Sequence, residues 1–465
     1  MRVLTQVKVI GLLGRFQHTV DFPASDEFVI VHGPNGVGKT LLLDLISAIA
    51  WPVDFSTIVR VPFTSLTLRF DDGTAFTVDK GGPQSTAADE NESSSAADSV
   101  LAGLLALRLF LEPGSGSGSI SWSPQVHTPQ RVDPSRRIAR LMTNSPDRLS
   151  NVERRLRDYL THGPLEGDAA LLEALPRWDS FPETLTELLA VRLPTEMQDV
   201  LTGVVVHSID THRLLGLSAT DERRGRTTRQ RPSLTKVEEF ATDLARRLAK
   251  ELAENSRTSQ ELDRTYPQRL LEDPAVDVSE QEIRERYDAQ NDLRRQLGDI
   301  SLVDERTSVI EIPERMEPWQ RTVLWTYLRD TEAKLATFKD TLDRVSRLRE
   351  IVNRRFLFKN LEIDRERGFR VVSDEGRDLD LASLSSGEQH ELVLAYDLLF
   401  NVPSGALVLI DEPEISLHVS WQKGFIADLR TIASLVDFRT IVATHSPQIA
   451  GKWADRMVIL GPTTE

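Results

Sequence analysis

A glycine-rich segment near the N-terminus, Gly33-Pro-Asn-Gly-Val-Gly-Lys-Thr40, combines the residue types that bind phosphate groups. Backbone N–H groups of such a loop, with the start of the following helix, attract phosphate oxygens. Lys39 can neutralise charge on the β- and γ-phosphates, and the Thr40 hydroxyl can ligate Mg²⁺. The segment predicts a P-loop that binds ATP and Mg²⁺. Further nucleotide contacts are expected from Asn35, Gly36 and Gly38.

Two adjacent carboxylates, Asp411 and Glu412, follow the apolar run Leu407 to Ile410. A buried strand ending here would deliver Asp411 to the metal ion. It would deliver Glu412 to the attacking water, which a carboxylate can orient and deprotonate. Both acids could instead only cap a strand end. The P-loop elsewhere in the chain favours the catalytic interpretation.

Two further segments fit the same chemistry. Leu384-Ser-Ser-Gly-Glu-Gln389 opens a predicted helix, where the Ser386 hydroxyl and the Gly387 N–H could face a γ-phosphate held elsewhere. A plain capping box would use the same residue types. His445 follows the predicted strand Thr440 to Ala443 and could hydrogen-bond the γ-phosphate or the attacking water. The alternative is an ordinary core histidine.

The elements that must position these residues alternate as strands and helices. A strand ending at Val31 precedes the P-loop, Leu41 to Ala50 follows as an apolar helix, and Val61 to Val78 indicates a hairpin. From Leu381 onward strands and helices alternate again. The fold class is therefore α/β, with an ATPase head in two sequence-separated lobes. The predicted domains are an N-terminal lobe 1–130, a mainly helical insertion 131–354 and a C-terminal lobe 355–465.

The middle of the chain is charged and has the period of helices. Apolar residues recur at steps of three and four over Val237 to Leu262, Val278 to Leu297 and Pro318 to Asn353. Two of these helices could pair as an arm, and the longest, Pro318 to Asn353, would reach roughly 50 Å. Val100 to Leu111 fits a strand or a short helix. The composition of Gly81 to Asp98 predicts a disordered loop.

Composition excludes several classes of protein. The 465 residues carry a net charge of −15 and contain no cysteine, so disulfide frameworks and thiolate zinc sites are excluded. The N-terminus alternates like a strand and lacks the apolar core of a signal peptide. No apolar run is long enough to span a bilayer. We expect a cytoplasmic protein without a membrane partner.

Together the four segments resemble the Walker A, signature, Walker B and switch-histidine elements of ABC-type ATPases, and within that group they look like those of SMC-like, RecF-like and OLD-like ATPases. The resemblance covers about 1–80 and 355–460 of the chain. It implies an ABC-type P-loop head that faces a second head around ATP. Ser386 would then complete the nucleotide site of the other subunit. The resemblance thus implies a homodimer or a higher even oligomer.

One expected element departs from this family pattern. Members usually have a glutamine at the end of a strand between Walker A and the signature, where it touches Mg²⁺ and the attacking water. The corresponding segment here is Ile-Asp-Thr-His-Arg-Leu-Leu, with His212 as the candidate metal contact. The alternative is a structural strand end followed by a solvated Arg213.

An arginine cluster occupies 223–231, with Arg223, Arg224, Arg226, Arg229 and Arg231. Such runs are often solvated loops. The alternative is a local contact with nucleic acid or an acidic partner, because the overall negative charge does not favour general adhesion to nucleic acid. The cluster contains no aromatic residue, so stacking on single-stranded bases is not supported.

The resemblance suggests a sensor or switch ATPase of a bacterial anti-phage defence complex of the Septu-like kind; residues 259–271 also resemble a segment of stand-alone defence ATPases. OLD enzymes carry a nuclease after the ATPase, whereas no nuclease-like cluster is evident here, so a separate nuclease or toxin effector is expected. The alternative is a RecF- or SMC-like ATPase that binds DNA during repair or maintenance. A transporter subunit is disfavoured by the long helical insertion.

Overall fold

The structure is a computed structural model. It describes residues 2–22, 27–81, 106–114, 118–124, 193–210, 235–272, 278–303, 311–313, 315–415, 417 and 419–461. The predicted loop Gly81 to Asp98 lies outside these residues except for Gly81, and Val100 to Leu111 is described only from Ala106 onward.

The N-terminal lobe contains an antiparallel sheet with the order β2-β1-β4-β5-β6-β7. Its strands are β1 (Leu4–Leu12), β2 (Phe16–Asp21), β4 (Ser65–Phe70), β5 (Ala75–Lys80), β6 (Leu107–Glu112) and β7 (Ile120–Trp122). β4 and β5 form the predicted hairpin, pairing Ser65 with Asp79. Of the two alternatives for Val100 to Leu111, the described part is a strand. Buried and exposed residues alternate along β2, as expected for a sheet with one covered face.

A parallel sheet with the order β14-β3-β13-β12-β8 forms the centre of the molecule. Its strands are β3 (Phe28–His32), β8 (Val206–Asp210), β12 (Leu407–Asp411), β13 (Arg439–Thr444) and β14 (Met457–Ile459). β3 comes from the N-terminal part of the chain, β8 from the middle and the others from the C-terminal part. The central sheet is therefore assembled from three sequence-separated stretches; two of them match the predicted lobes, and β8 comes from the predicted insertion.

Apolar runs in this sheet arise because both of its faces are covered. Ile30 of β3 packs with Val408 and Ile410 of β12 in one core, whereas Val31 packs with Leu409 in the other. A strand with two buried faces needs apolar residues at consecutive positions, and β12 supplies them as Leu-Val-Leu-Ile. This double burial fixes where the strands end, and hence where the polar residues after them lie.

Helices cover the sheet and form the middle region. They are α1 (Lys39–Ile49), α2 (Phe55–Arg60), α3 (Thr195–Thr202), α4 (Lys236–Glu272), α5 (Glu280–Gly298), α6 (Pro318–Ala336), α7 (Lys339–Asn353), α8 (Ser386–Phe400), α9 (Val419–Val436) and α10 (Pro447–Ala450). Within the described ranges, no helix is long and apolar enough to cross a membrane. A small sheet of β9 (Lys359–Asp364), β10 (Gly368–Ser373) and β11 (Asp378–Leu379) precedes α8.

The prediction of one helix over Pro318 to Asn353 is wrong. α6 ends at Ala336 and α7 begins at Lys339, with Thr337 and Phe338 between them. Thr337 and Phe338 keep backbone dihedrals of the α region, so the interruption is slight, and the Phe338 side chain stays in the core, 2% exposed. The longest helix is instead α4, which at 37 residues spans roughly 55 Å.

Helix pairing in the middle region is present. α6 packs against both α4 and α5. Arg269 of α4 donates to both carboxylate oxygens of Asp330 on α6, one of them at 2.7 Å, and Asp330 is 6% exposed. A separate small core of Val278, Ile283, Tyr287, Met316 and Leu328 lies where α5 meets α6. β8 lies inside the predicted insertion 131–354 but belongs to the central sheet.

A fully buried histidine, His390, lies on α8. Neither ring nitrogen has a hydrogen-bond partner in the part of the chain that the structure describes, and burial lowers the pKa of His390 from 6.5 to about 4. The pKa of His390 is lower in the folded protein than in the unfolded chain. The contribution of His390 to the stability of the fold is therefore fully present above pH 6.5 and is lost as the pH falls towards 4. The difference between the two pKa values of His390 corresponds to about 3 kcal/mol of unfolding free energy.

We expect His390→Leu to remove this loss of stability in acid. The leucine fills the site without acquiring a charge, so the free energy of unfolding of the wild type should fall relative to the variant by about 3 kcal/mol between pH 7 and pH 4. Urea unfolding at several pH values measures the difference between the two proteins. Identical pH dependence in both would contradict the burial argument.

Candidate active site

The predicted catalytic residues meet at one edge of the central sheet. β3, β13 and β12 are adjacent and parallel, with Val31 paired to Ala443 and Ala443 paired to Asp411. Since parallel strands end at the same edge, the P-loop after β3, the acids ending β12 and the histidine after β13 lie side by side. The opposite neighbour, β8, ends at Asp210, whose backbone is in register with Asp411.

The P-loop has the backbone conformation that its glycines permit. Gly36 and Gly38 have φ values of 86° and 90°, in the left-handed region that other residues rarely adopt. Gly38 directly precedes α1, and a Cβ on it would lie 2.6 Å from the Leu12 side chain. The loop therefore needs glycine for both conformation and space. Asn35 and Gly36 are exposed at its tip, where a nucleotide could reach them.

Lys39 is held inside the loop. Its side chain is 5% exposed, and Nζ donates to the carbonyl oxygens of Gly33 at 2.9 Å and Pro34 at 3.2 Å. A buried ammonium group needs such acceptors. The two carbonyls keep the positive charge next to the N-terminus of α1, where phosphate groups would bind.

Thr40 and Asp411 join the two lobes directly. The Thr40 hydroxyl donates to Asp411 Oδ2 at 2.7 Å, although 371 residues separate them. No group of three or more acidic, histidine or cysteine residues suited to a metal is found within the described ranges. Mg²⁺ in nucleotide sites needs only one or two protein oxygens besides phosphate and water, so a hydroxyl and a carboxylate at this distance fit it.

Glu412 has an unusual backbone. Its φ is +45°, and its N–H donates to the Ala443 carbonyl at 2.8 Å, which ties the end of β12 to β13. Left-handed conformations cost a non-glycine residue roughly 1–2 kcal/mol and are often found at functional sites. Here the turn directs a half-buried carboxylate towards His445, with Glu412 Oε1 3.7 Å from His445 Nδ1.

His445 is not a core histidine, because 44% of its side chain is exposed. Its Nδ1 lies 3.0 Å from Glu414 Oε1. The backbone after β13 is also held by this carboxylate, which accepts from the His445 N–H at 2.7 Å. The ring therefore stands at the sheet edge beside Glu412, where a histidine could contact a γ-phosphate.

The predicted signature forms the start of α8. Ser385 is the N-cap and makes a capping box with Glu388, so the capping interpretation is correct for Ser385. Burial raises the pKa of Glu388, but hydrogen bonds from Lys359 and Ser385 outweigh it and hold that pKa below its usual value. Ser386 is exposed in the first turn, next to Gly387. The cap thus leaves the Ser386 hydroxyl available to another molecule.

Sequence reasoning missed two supporting residues. His18 Nε2 lies 2.9 Å from the Val37 carbonyl, and its ring stacks on Phe16, so β2 supports the back of the P-loop. The buried alternation of β2 was the available signal. Glu414 is the second, and its burial could not be read from an acidic residue after Walker B. The candidate metal contact His212 and the arginine cluster 223–231 lie outside the described residues.

The fold and this arrangement are those of a P-loop ATPase head of ABC type, with a central sheet drawn from sequence-separated parts of the chain. A family model described as "AAA domain, putative AbiEii toxin, Type IV TA system" matches residues 239–450. That range runs from α4 into α10 and includes the signature segment, Asp411, Glu412 and His445.

Curated relatives agree with this class over short stretches. The chain is similar to the retron Ec83 probable ATPase of Escherichia coli, with 35% identity over 103 residues, covering 20% of this chain and 19% of that protein. It is also similar to the cobalamin import ATP-binding protein BtuD of Halobacterium salinarum, with 32% identity over 81 residues, covering 17% and 20%. The matches thus span about a fifth of each relative's length.

Among solved structures, the chain is similar to the Smc head domain with an extended coiled coil bound to the C-terminal domain of ScpA, from Pyrococcus furiosus. The TM-score is 0.34 at 13% identity, over 99% of this chain and 94% of that one. This likeness is too low to add to the argument. The family model and the curated relatives are described as AAA, ATPase or ATP-binding proteins, in agreement with the P-loop site.

Proposed function

We propose that the protein binds and hydrolyses ATP, and that ATP closes two copies of the chain into a dimer. The observation that carries this proposal is the contact between Thr40 and Asp411 at 2.7 Å. It brings the hydroxyl of the P-loop and the carboxylate of the Walker B strand to one place, although they lie at opposite ends of the sequence. Two oxygens so placed suit the metal that accompanies a triphosphate.

Each residue at the sheet edge has a distinct role in this proposal. Lys39 and the loop N–H groups hold the phosphates, and Mg²⁺ held by Thr40 and Asp411 would neutralise their charge. Glu412 orients the attacking water and accepts its proton, and His445 contacts the γ-phosphate. Ser386 and Gly387 complete the site of the other subunit.

We further propose that this ATPase is the sensor or switch subunit of a bacterial anti-phage defence complex, whose nuclease or toxin activity belongs to a separate effector chain. Two similarities support this role: the family description names a toxin system, and one curated relative is a retron ATPase. The exposed Ser386 is consistent with a site completed between subunits.

Light scattering on the Glu412→Gln protein tests the dimer. Blocking hydrolysis should trap the ATP-bound state, so the mass should double on addition of Mg-ATP. Adding Ser386→Arg, which puts a bulky cation at the exposed start of α8, should abolish the doubling without unfolding the protein. A mass that does not respond to ATP would contradict the proposed dimer.

Co-expression with the product of the neighbouring gene tests the defence role. A stable complex whose nuclease or toxin activity depends on ATP would support the switch-subunit proposal and identify the effector. If no complex forms, and the protein instead binds DNA in a salt-sensitive way that stimulates hydrolysis, the DNA-maintenance alternative replaces it.

A further inference from the structure

A second carboxylate, Glu414, lies next to the edge of the central sheet where the predicted catalytic residues meet. It belongs to the short 3₁₀ turn Pro413–Ile415 and is 7% exposed. Its Oε1 accepts hydrogen bonds from the Thr444 hydroxyl at 2.6 Å, the His445 N–H at 2.7 Å and the Ser446 N–H at 3.1 Å. One buried oxygen therefore fixes the backbone on both sides of His445.

The same oxygen is also the nearest carboxylate to the His445 ring. Oε1 lies 3.0 Å from Nδ1, compared with 3.7 Å for Glu412 Oε1. An ionised carboxylate can only accept a hydrogen, so an approach this close is favourable when Nδ1 carries the proton. In a neutral ring Nε2 then has no proton and is the nitrogen left to face a ligand.

The Glu414 turn is itself fixed from α9. The Gln422 side-chain amide donates to the carbonyl oxygens of Glu414 at 3.2 Å and Leu417 at 3.1 Å. Its amide oxygen accepts from the Ser446 hydroxyl at 3.0 Å. Gln422 thus joins the turn after β12 to the turn after β13 and fixes the backbone from which the Glu414 carboxylate extends.

We propose that Glu414 is the positioning residue of His445: it holds the ring as the Nδ1–H tautomer and directs Nε2 towards the γ-phosphate of ATP. The proposal rests on the proposed ATPase function and deepens it.

Nitrogen NMR of ¹⁵N-histidine-labelled protein tests the tautomer without requiring turnover. Spectra are recorded at about pH 9, where histidine rings are ordinarily neutral, and the His445 signals are assigned by their loss in His445→Gln. We expect the wild type to show the Nδ1–H pattern. An Nε2–H pattern in the wild type would overturn the proposal.

Steady-state kinetics test the positioning role. Glu414→Ala should lower kcat about 100-fold with little change in KM for ATP, because a displaced catalytic group affects the reaction more than binding. Glu414→Gln keeps an acceptor oxygen and should recover part of this loss. Glu414→Ala combined with His445→Ala should be no slower than His445→Ala alone. A further loss in the double variant would show that Glu414 acts independently of the ring.

Two comparisons distinguish a failure of this proposal from other causes of lost activity. Glu239→Gln removes an exposed carboxylate on α4, far along the chain from this network, so it should change kcat less than threefold; a loss as large as that of Glu414→Ala would show that the effect is not specific to Glu414. If Glu414→Ala does not fold, the wild-type spectrum still decides the tautomer. If the wild type hydrolyses no ATP, the proposed function fails, and the spectrum decides this inference separately.

Discussion

Lys39→Ala is expected to weaken ATP binding by roughly 30- to 5,000-fold. The wild-type ammonium group is buried between the Gly33 and Pro34 carbonyls, next to the start of α1. Removing one partner of a buried charge pair costs about 2–5 kcal/mol, which corresponds to that range of affinity. Isothermal titration of Mg-ATP into the two proteins measures the change.

The matched control for this substitution is Lys236→Ala. Lys236 is exposed on α4 and pairs with Glu239. Lys236→Ala therefore removes the same charge at a position far along the chain from the P-loop. Its affinity for ATP should equal that of the wild type. Unchanged affinity in Lys39→Ala, with circular dichroism showing a folded protein, would remove Lys39 from the nucleotide site.

Glu412→Gln is expected to lower the turnover of ATP about 10²- to 10⁴-fold while ATP still binds. Glutamine has the same shape and the same cost at φ +45°, and the backbone hydrogen bond to Ala443 is unaffected. Only the ability to accept a proton from water is lost. Phosphate release under single-turnover conditions measures the chemical step.

Glu239→Gln, an exposed acid on α4, serves as the control and should hydrolyse ATP at the wild-type rate. If Glu412→Gln also hydrolyses ATP at that rate, Glu412 is not the base. Weaker binding with normal turnover would instead assign it to ground-state contacts.

Much of the catalytic edge could be predicted from sequence because parallel strands share a direction. Once Val31, Asp411 and Ala443 are recognised as the ends of neighbouring buried strands, the residues after them must lie at the same edge. The spacing along the chain then has no importance, which is why Thr40 and Asp411 touch across 371 residues. Local pattern located the strand ends, and the order of the strands in the sheet supplied their adjacency.

The break between α6 and α7 could not be predicted in this way. Leu335, Phe338, Leu342 and Val345 keep the helical spacing across the break, and all are buried. The periodicity therefore continues although the helix does not, and Thr337 is neither proline nor glycine. The break is a small interruption at Thr337 and Phe338, whose backbones stay in the α region, so no residue type or period marks it.

Glu414 illustrates a different limit. Its sequence context, directly after Asp411-Glu412-Pro413, resembles that of a solvated acid after a strand. What makes it a partner of His445 is the distance between two turns that are 30 residues apart in sequence. Hydrogen-bond partners of this kind depend on how strand ends are aligned to within an ångström, and residue type does not specify that alignment.

The strand order of the central sheet has a consequence for synthesis on the ribosome. β3 ends at His32, but its neighbour β13 begins only at Arg439. At 5–20 residues per second, β3 waits roughly 20–80 s for a partner on either side. Val29 and Val31 can pack early against the N-terminal sheet and α1, whereas Phe28 and Ile30 face a core built mainly from later residues, so that face and both edges of β3 stay uncovered during that time. Cells making this protein would therefore need chaperones that shield the N-terminal segment until translation is almost finished.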